Sequence, residues 1–190
     1  MKNIAYDESL VPLVRENMKA FLTRVAESQP RGGQLLEIGP QERQQVRDTF
    51  HGWSYHSFDI VDTYRPDFVG DITRLNPQIP DQTFDCILCM DVLEHCLQPF
   101  DAIIELRRML KDGGLLLLSS PLNWRIHGPV PDCWRFTEHG YKVLLKDFEI
   151  IEIDILETPG RDLFPVHYNV AARCNRSKNI DPRELKFRFI

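Results

Sequence analysis

The chain of 190 residues is 43% hydrophobic and has a net charge of −5 at neutral pH, with 23 basic and 28 acidic side chains. This length gives one domain a full core and leaves little room for a second. The sequence has no long basic cluster, no apolar run near the roughly 18 residues that span a membrane, and no signal-peptide pattern. We therefore expect one cytoplasmic domain over residues 1–190 that binds neither nucleic acid nor a membrane.

An N-terminal helical segment occupies residues 1–33. Residues 8–27 repeat apolar side chains at helical spacing, and Pro12 fits only the first turn of such a helix. Three short strands follow, with a weakly amphipathic helix predicted between the first two. The strands span residues 35–38, 55–60 and 67–72, the last as an edge strand, and the helix spans residues 41–48.

The clearest pattern lies in residues 83–121. An apolar run over 84–90 predicts a buried strand, and 99–111 has the periodicity of a helix that Asp112-Gly113-Gly114 would end. A second buried strand follows at 115–118. Strand, helix and strand in this order predict a right-handed unit with parallel strands, which binds ligands beyond the carboxyl ends of its strands.

The last third of the chain predicts an antiparallel hairpin. Residues 121–135 form an ordered, substrate-side loop, and Thr137 is a candidate cap for the helix that follows. Strands over 148–156 and 166–172 flank a turn at Thr158-Pro159-Gly160, and a polar, mobile tail over 175–190 ends the chain. The predicted fold class is α/β, with parallel strands first and an antiparallel pair at the end.

The five cysteines are expected to be buried, reduced thiols. Cys86 and Cys89 form a C-x-x-C, but both lie in a predicted strand and there is no second ligand pair, so no metal site is predicted.

Polar residues follow four successive predicted strands. Glu37 and Gly39 end the first strand, Asp59 follows about 20 residues later at the end of the second, and Asp71 ends the third. Asp91, Glu94 and His95 form a fourth group. A tight turn followed by an acid at this spacing is typical of a nucleoside site, although many proteins with alternating strands and helices have such residues.

These motifs resemble the class I S-adenosylmethionine-dependent methyltransferases. The resemblance runs from about residue 35 to 145, through FDIVD, VGDITRL, FDCILCMDVLEH, ELRRMLKDGGLLLLSSP and DCWRFTEHGYKVLL. It implies a Rossmann-like, doubly wound, mostly parallel seven-stranded sheet with a C-terminal antiparallel hairpin, and S-adenosyl-L-methionine as cofactor.

The resemblance also assigns cofactor-binding residues. It places Asp59 at the ribose and the Asp71-Ile72 pair at the adenine, with Ile60 as a further cofactor-binding residue. Glu37 and Gly39 would lie beside the methionine moiety, while Met90, Asp91 and His95 would line the cofactor pocket.

One loop departs from the family pattern. The family usually continues E/D-x-G-x-G-x-G, whereas this chain reads Glu37-Ile38-Gly39-Pro40-Gln41-Glu42-Arg43. The two missing glycines would allow close backbone approach and positive φ. Gln41 and Glu42 could narrow the pocket or repel the cofactor's carboxylate, and Arg43 could instead pair with it. Both a working enzyme and a fold that has lost its cofactor are compatible with this loop.

Candidate catalytic bases are His127, Asp132 and His95, and His167 or Tyr168 could reach the same mouth. His127 is equally compatible with an exposed loop histidine, and Asp132 with a structural pair to Arg135. Trp124, Trp134 and Arg135 are candidate substrate-binding residues, although tryptophans capping a core are as common.

The sequence therefore predicts methyl transfer from S-adenosylmethionine to an oxygen or nitrogen of a small molecule, with a sugar or secondary metabolite as candidate acceptors. A non-catalytic scaffold is the alternative that the altered loop favours. A nicotinamide-dependent oxidoreductase fits less well, because G-x-G-x-x-G is absent. A homodimer is compatible with the sequence.

Overall fold

The computed structural model describes residues 4–30, 32–41 and 45–185. Its helices and strands alternate through most of the chain, with two short 3-10 helices at Leu93–His95 and Pro182–Glu184. Within the described residues, the α-helices are α1 (Ile4–Ser28), α2 (Gln45–Thr49), α3 (Pro99–Met109) and α4 (Glu138–Leu144). The strands of the same residues are β1 (Gln34–Ile38), β2 (Ser54–Asp59), β3 (Phe68–Val69), β4 (Phe84–Met90), β5 (Leu110–Pro121), β6 (Phe148–Thr158) and β7 (Arg161–Cys174).

All seven strands form one sheet in the order β3-β2-β1-β4-β5-β7-β6. The first five pair in parallel, and β7 runs antiparallel to both of its neighbours, β5 and β6. The chain leaves β1 toward β2 and β3 and then returns to β4 on the other side. β1 and β4 therefore border the switch point at which open α/β sheets bind ligands. The predicted mostly parallel fold with a C-terminal antiparallel pair is confirmed.

Helices cover both faces of the sheet. Phe21 and Leu22 of α1 pack with Leu88 of β4 on one face, whereas α3 and α4 pack on the other. Cys86 and Cys89 are both fully buried and belong to the cores on opposite faces. β4 is covered on both sides, which explains its unbroken apolar sequence.

Two predicted helix boundaries differ from the structure. The helix predicted to reach residue 111 ends at Met109, and β5 begins at Leu110. Gly113 does adopt a positive φ of 76°, but within an irregular stretch of β5 where the register with β4 shifts, because left-handed glycine serves a bulge as well as a helix end. Pro12 lies well inside α1 rather than in its first turn, since α1 already includes Ile4.

The C-terminal elements are anchored by side chains. Thr137 caps α4 as predicted, and its Oγ1 accepts a hydrogen bond from the Gly140 amide at 3.2 Å. The segment after β7, predicted to be mobile, is bonded to α3 where the structure describes it: Arg107 donates to the carbonyls of Asn175 and Lys178. Among the described residues, no helix is long and apolar enough to cross a bilayer.

Candidate active site

A cavity of about 590 Å³ lies at the switch point, between α1 and the carboxyl ends of β1 and β4. Its lining includes four predicted cofactor-binding residues, two candidate substrate-binding or catalytic residues from the loop at 121–135, and one histidine of the strand β7. These are Glu37, Met90, Asp91 and His95, together with Trp124, His127 and His167. The structure therefore gathers residues from β1, β4, the loop and β7 into one volume of a size typical of small-molecule sites.

The β1 side of the cavity is organised around Glu37. Its side chain is buried at the end of β1, and Oε2 accepts a hydrogen bond from the Tyr55 hydroxyl at 2.6 Å. Burial and the Glu37 carboxylate raise the pKa of Tyr55 well above its usual value, so the hydroxyl stays a donor. Gly39 follows in a left-handed conformation with φ of 65°, and Gln41, which lines the cavity, has φ of 52°.

The β4 side is organised around Asp91. This residue has φ of 55°, a costly conformation for a side chain with a Cβ, and it follows β4 directly. Its Oδ1 accepts a hydrogen bond from Ser119 Oγ at 2.8 Å and lies 2.8 Å from Nε2 of His167. These contacts from β5 and β7 hold the Asp91 carboxylate at the cavity wall.

The other predicted cofactor residues lie outside this cavity. Asp59 is the last residue of β2, and Asp71 follows β3 at the same edge of the sheet. The Asp59 carboxylate accepts a bond from the Val61 amide at 3.2 Å, and Asp71 Oδ1 accepts bonds from the amide and hydroxyl of Thr73 at 2.9 and 2.7 Å. Ile60 is exposed and Ile72 belongs to the core. Of the predicted cofactor residues, the cavity lining therefore includes Glu37, Met90, Asp91 and His95, but not the residues at and after the ends of β2 and β3.

Three side chains converge on the wall formed by residues 93–95 and the loop. Nε2 of His95 and Nε2 of His127 each lie 4.0 Å from Oε1 of Glu94, and the two imidazole rings meet edge to face at 5.0 Å. Glu94 is fully buried, and neither carboxylate oxygen has a hydrogen-bond partner among the described residues. Burial and the nearby Asp91 raise the pKa of Glu94 well above its usual value.

Each of the two imidazoles is fixed through its Nδ1 atom. His95 Nδ1 lies 2.9 Å from the Pro131 carbonyl, and His127 Nδ1 lies 3.1 Å from Oδ2 of Asp132. Because both acceptors are oxygen atoms that only accept, they place a proton on Nδ1 and make Nε2 the bare nitrogen of the matching neutral tautomer.

Asp132 is an internal anchor of the loop. Its oxygens accept bonds from two guanidinium nitrogens of Arg135 at 2.5 and 2.8 Å and from the His127 amide at 2.9 Å. The hydrogen bond from Arg135 holds the pKa of Asp132 far below its usual value. The pairing that the sequence left open as an alternative is therefore present, and it places Asp132 behind His127.

The two tryptophans occupy different environments. Trp124 lines the cavity. Trp134 donates its indole N–H to the Cys96 carbonyl at 2.8 Å and stacks on Phe136 with ring centroids 6.2 Å apart. Trp134 and Arg135 are absent from the cavity lining, so the structure gives both a role in holding the loop.

Sequence reasoning missed the wall contributed by α1. Val14, Met18 and Leu22 line the cavity from the helix that covers it. Their helical spacing was visible in the sequence, but that spacing identifies only a buried face and not what the face covers.

Comparison with known proteins supports one family. The model of a methyltransferase-domain family matches residues 13–150. The N-methyltransferase NodS from Bradyrhizobium japonicum is similar in structure, with 18% identity over 87% of this chain and 98% of NodS and a TM-score of 0.64. A SAM-dependent methyltransferase from Archaeoglobus fulgidus is similar at 16% identity over 84% of this chain and 94% of that one, also with a TM-score of 0.64.

The fold is shared with a protein of different activity. The [4+2]-cyclase SpnF has 17% identity over 83% of this chain and 80% of its own, with a TM-score of 0.64. The sequence matches no curated protein. Because the family model spans most of the chain, the chain belongs to the methyltransferase-domain family.

Proposed function

We propose that this protein transfers a methyl group from S-adenosylmethionine to an oxygen or nitrogen atom of a small molecule bound in the cavity at the switch point. The observation that carries the proposal is the meeting, in one cavity, of Glu37 and Asp91 from the strand ends with the imidazoles of His95 and His127. The carboxylates that would face the methyl donor are therefore next to the imidazoles that could act as bases on the acceptor.

The residues present fit the cofactor in their chemistry. When bound, S-adenosylmethionine supplies a methyl group activated by a positively charged sulfonium. The cavity wall has carboxylates at Glu37 and Asp91 and an aromatic ring at Trp124, all of which favour a cation. Asp59, at the end of β2, offers a carboxylate that can accept bonds from ribose hydroxyls. The adenosine half would thus lie over the β2 and β3 ends, beyond the cavity.

The acceptor would face the imidazole wall. Methyl transfer needs an attacking atom in line with the activated group, and a base only where the acceptor must lose a proton. The bare Nε2 atoms of His95 and His127 are the basic atoms available there, and the Asp132 carboxylate orients the His127 ring. Hydroxyl and amine acceptors match such a wall.

Calorimetric titration with S-adenosylmethionine and S-adenosylhomocysteine tests the proposal. We expect micromolar binding of both ligands by the native chain and at least tenfold weaker binding by Asp59→Ala, because a hydrogen bond to a charged group contributes about 1.5–3 kcal/mol. Asp62→Ala is the matched control, since Asp62 is an exposed acid of the same loop. Equal affinities for the two variants would refute the ribose assignment.

A second candidate is a methyltransferase-like scaffold that has lost the cofactor. The observation that favours it is Gln41, which occupies a left-handed position and lines the cavity where the family commonly has glycine. No detectable binding in the same titrations at millimolar ligand would support the scaffold and refute the proposed methyl transfer.

A further inference from the structure

We propose that Glu94, His95 and His127 form a binding site for a divalent transition-metal ion at the wall of the cavity. The three residues offer one carboxylate oxygen and two imidazole nitrogens, a set found in zinc and non-haem iron sites. Nothing in the sequence pattern predicts this site, because Glu94 and His127 come together only through the path of the loop at 121–135.

The ligand atoms are already close to coordinating positions. Oε1 of Glu94 lies 4.0 Å from Nε2 of each histidine, and one ligand atom from each of the three residues lies within 4.8 Å of the other two. An ion at the centre of such a triangle lies about 2.3–2.8 Å from each atom, whereas zinc bonds to nitrogen and oxygen are about 2.0–2.2 Å long. Closing the site therefore requires each ligand atom to move inward by less than about 1 Å.

Both imidazoles are held as metal ligands usually are. A ligating histidine commonly donates its other ring N–H to a carboxylate or a backbone carbonyl, which sets the tautomer and the ring orientation. His95 has the Pro131 carbonyl at Nδ1, and His127 has Asp132, which is itself anchored by Arg135. An outer layer of this kind leaves both Nε2 lone pairs available, each on an atom 4.0 Å from Oε1 of Glu94.

A second, independent observation is that the Glu94 carboxyl group is buried without a hydrogen bond among the described residues. Its side chain has no exposed surface, and both oxygens lack a hydrogen-bond partner among the described residues. An unpaired buried carboxylate is costly, and native structures compensate such groups with a counter-charge or a metal ion. His95 and His127 are 12% and 25% exposed at the side chain and line the cavity, so an ion can enter from that side.

Three protein ligands leave at least one coordination position open. An open position is the mark of a catalytic rather than a structural metal site. Facing the cavity, it would take an oxygen or nitrogen of the small molecule, so that the two imidazoles act on the acceptor through the ion. Only this last consequence rests on the proposed methyl transfer, and the metal site itself does not.

The test is metal binding by the full chain in the absence of any cofactor or acceptor. The chain is freed of metal with a chelator and titrated with Zn²⁺ by calorimetry and with Co²⁺ by visible absorption. We expect one equivalent of each ion to bind. The visible spectrum of bound Co²⁺ should be that of cobalt coordinated by nitrogen and oxygen atoms. Glu94→Gln and His127→Gln should each weaken binding at least tenfold, because each removes one of three ligands.

Two control variants distinguish this site from surface binding. His139→Gln removes a histidine that lies 3.5 Å from Glu138 on the surface, and Cys133→Ser removes an exposed thiol beside the site. Both should bind as the native chain does. The proposal would be overturned if the native chain bound no stoichiometric metal ion, or if Glu94→Gln bound the ion as tightly as the native chain. It would also be overturned if bound Co²⁺ showed a thiolate absorption that disappears in Cys133→Ser. Circular dichroism of each variant confirms that it is folded, and none of these readouts depends on S-adenosylmethionine.

Discussion

Replacing Gly39 with alanine should destabilise the protein more than the same change at a comparable glycine. Gly39 has φ of 65°, and a Cβ placed there would lie 3.0 Å from Cγ2 of Val92. Left-handed backbone costs alanine about 1–2 kcal/mol, and overpacking a filled site costs about 1–3 kcal/mol more. We therefore expect Gly39→Ala to lower the free energy of unfolding by about 2–5 kcal/mol.

Gly52→Ala is the matched control for this prediction. Gly52 has φ of 81°, but a Cβ there would meet nothing within 4 Å, so only the backbone term of about 1–2 kcal/mol applies. Urea unfolding monitored by circular dichroism measures both variants. In Gly39→Ala, displacement of Val92 should also shift its neighbour Asp91, so that S-adenosylmethionine binds at least tenfold more weakly. Gly52→Ala should bind this ligand as the native chain does. Equal destabilisation and equal ligand affinity in the two variants would refute this reasoning.

Two further predictions concern buried polar pairs. Burial alone would raise the pKa of Glu105, but the hydrogen bonds from Arg108 and Asn76, together with the charge of Arg108, outweigh burial and hold the pKa below its usual value. The stability that ionised Glu105 adds is therefore present above the ordinary glutamate pKa of about 4.3 and is lost as the pH falls through the lowered value. Urea unfolding should show Glu105→Gln less stable at pH 7 by about 1–3 kcal/mol, with the gap shrinking below pH 4; a constant gap would contradict the assignment. Tyr141→Phe should cost about 1–3 kcal/mol in thermal unfolding, because the Tyr141 and Ser120 hydroxyls are buried 2.5 Å apart and the change orphans Ser120. Adding Ser120→Ala should recover part of this loss, and an additive double variant would contradict the pairing.

Local patterns were sufficient to predict most of the fold. The apolar run in β4, the periodicity of α3 and the cap at Thr137 each report on their own surroundings, which is why those elements were predicted correctly. The end of α3 was not, because Gly113 signals a left-handed residue without saying whether a helix end or a strand irregularity uses it.

The site was predictable only where strand order decides it. Carboxyl ends of neighbouring parallel strands must meet, so the sequence could indicate that Glu37 and Asp91 lie near one another. The contact between Glu94 and His127 depends on the path of an irregular loop, and the cover that α1 provides depends on tertiary packing. No periodicity in the sequence could have predicted either the contact or the cover.

A crystal structure of the protein with S-adenosylhomocysteine tests the central claim most directly. The account predicts the sulfur in the cavity beside Asp91 and Trp124, the ribose at the Asp59 carboxylate, and His127 facing the vacant side where an acceptor would bind. The side chain of Gln41 filling the methionine half, or the ligand bound away from the ends of β1 and β4, would contradict it.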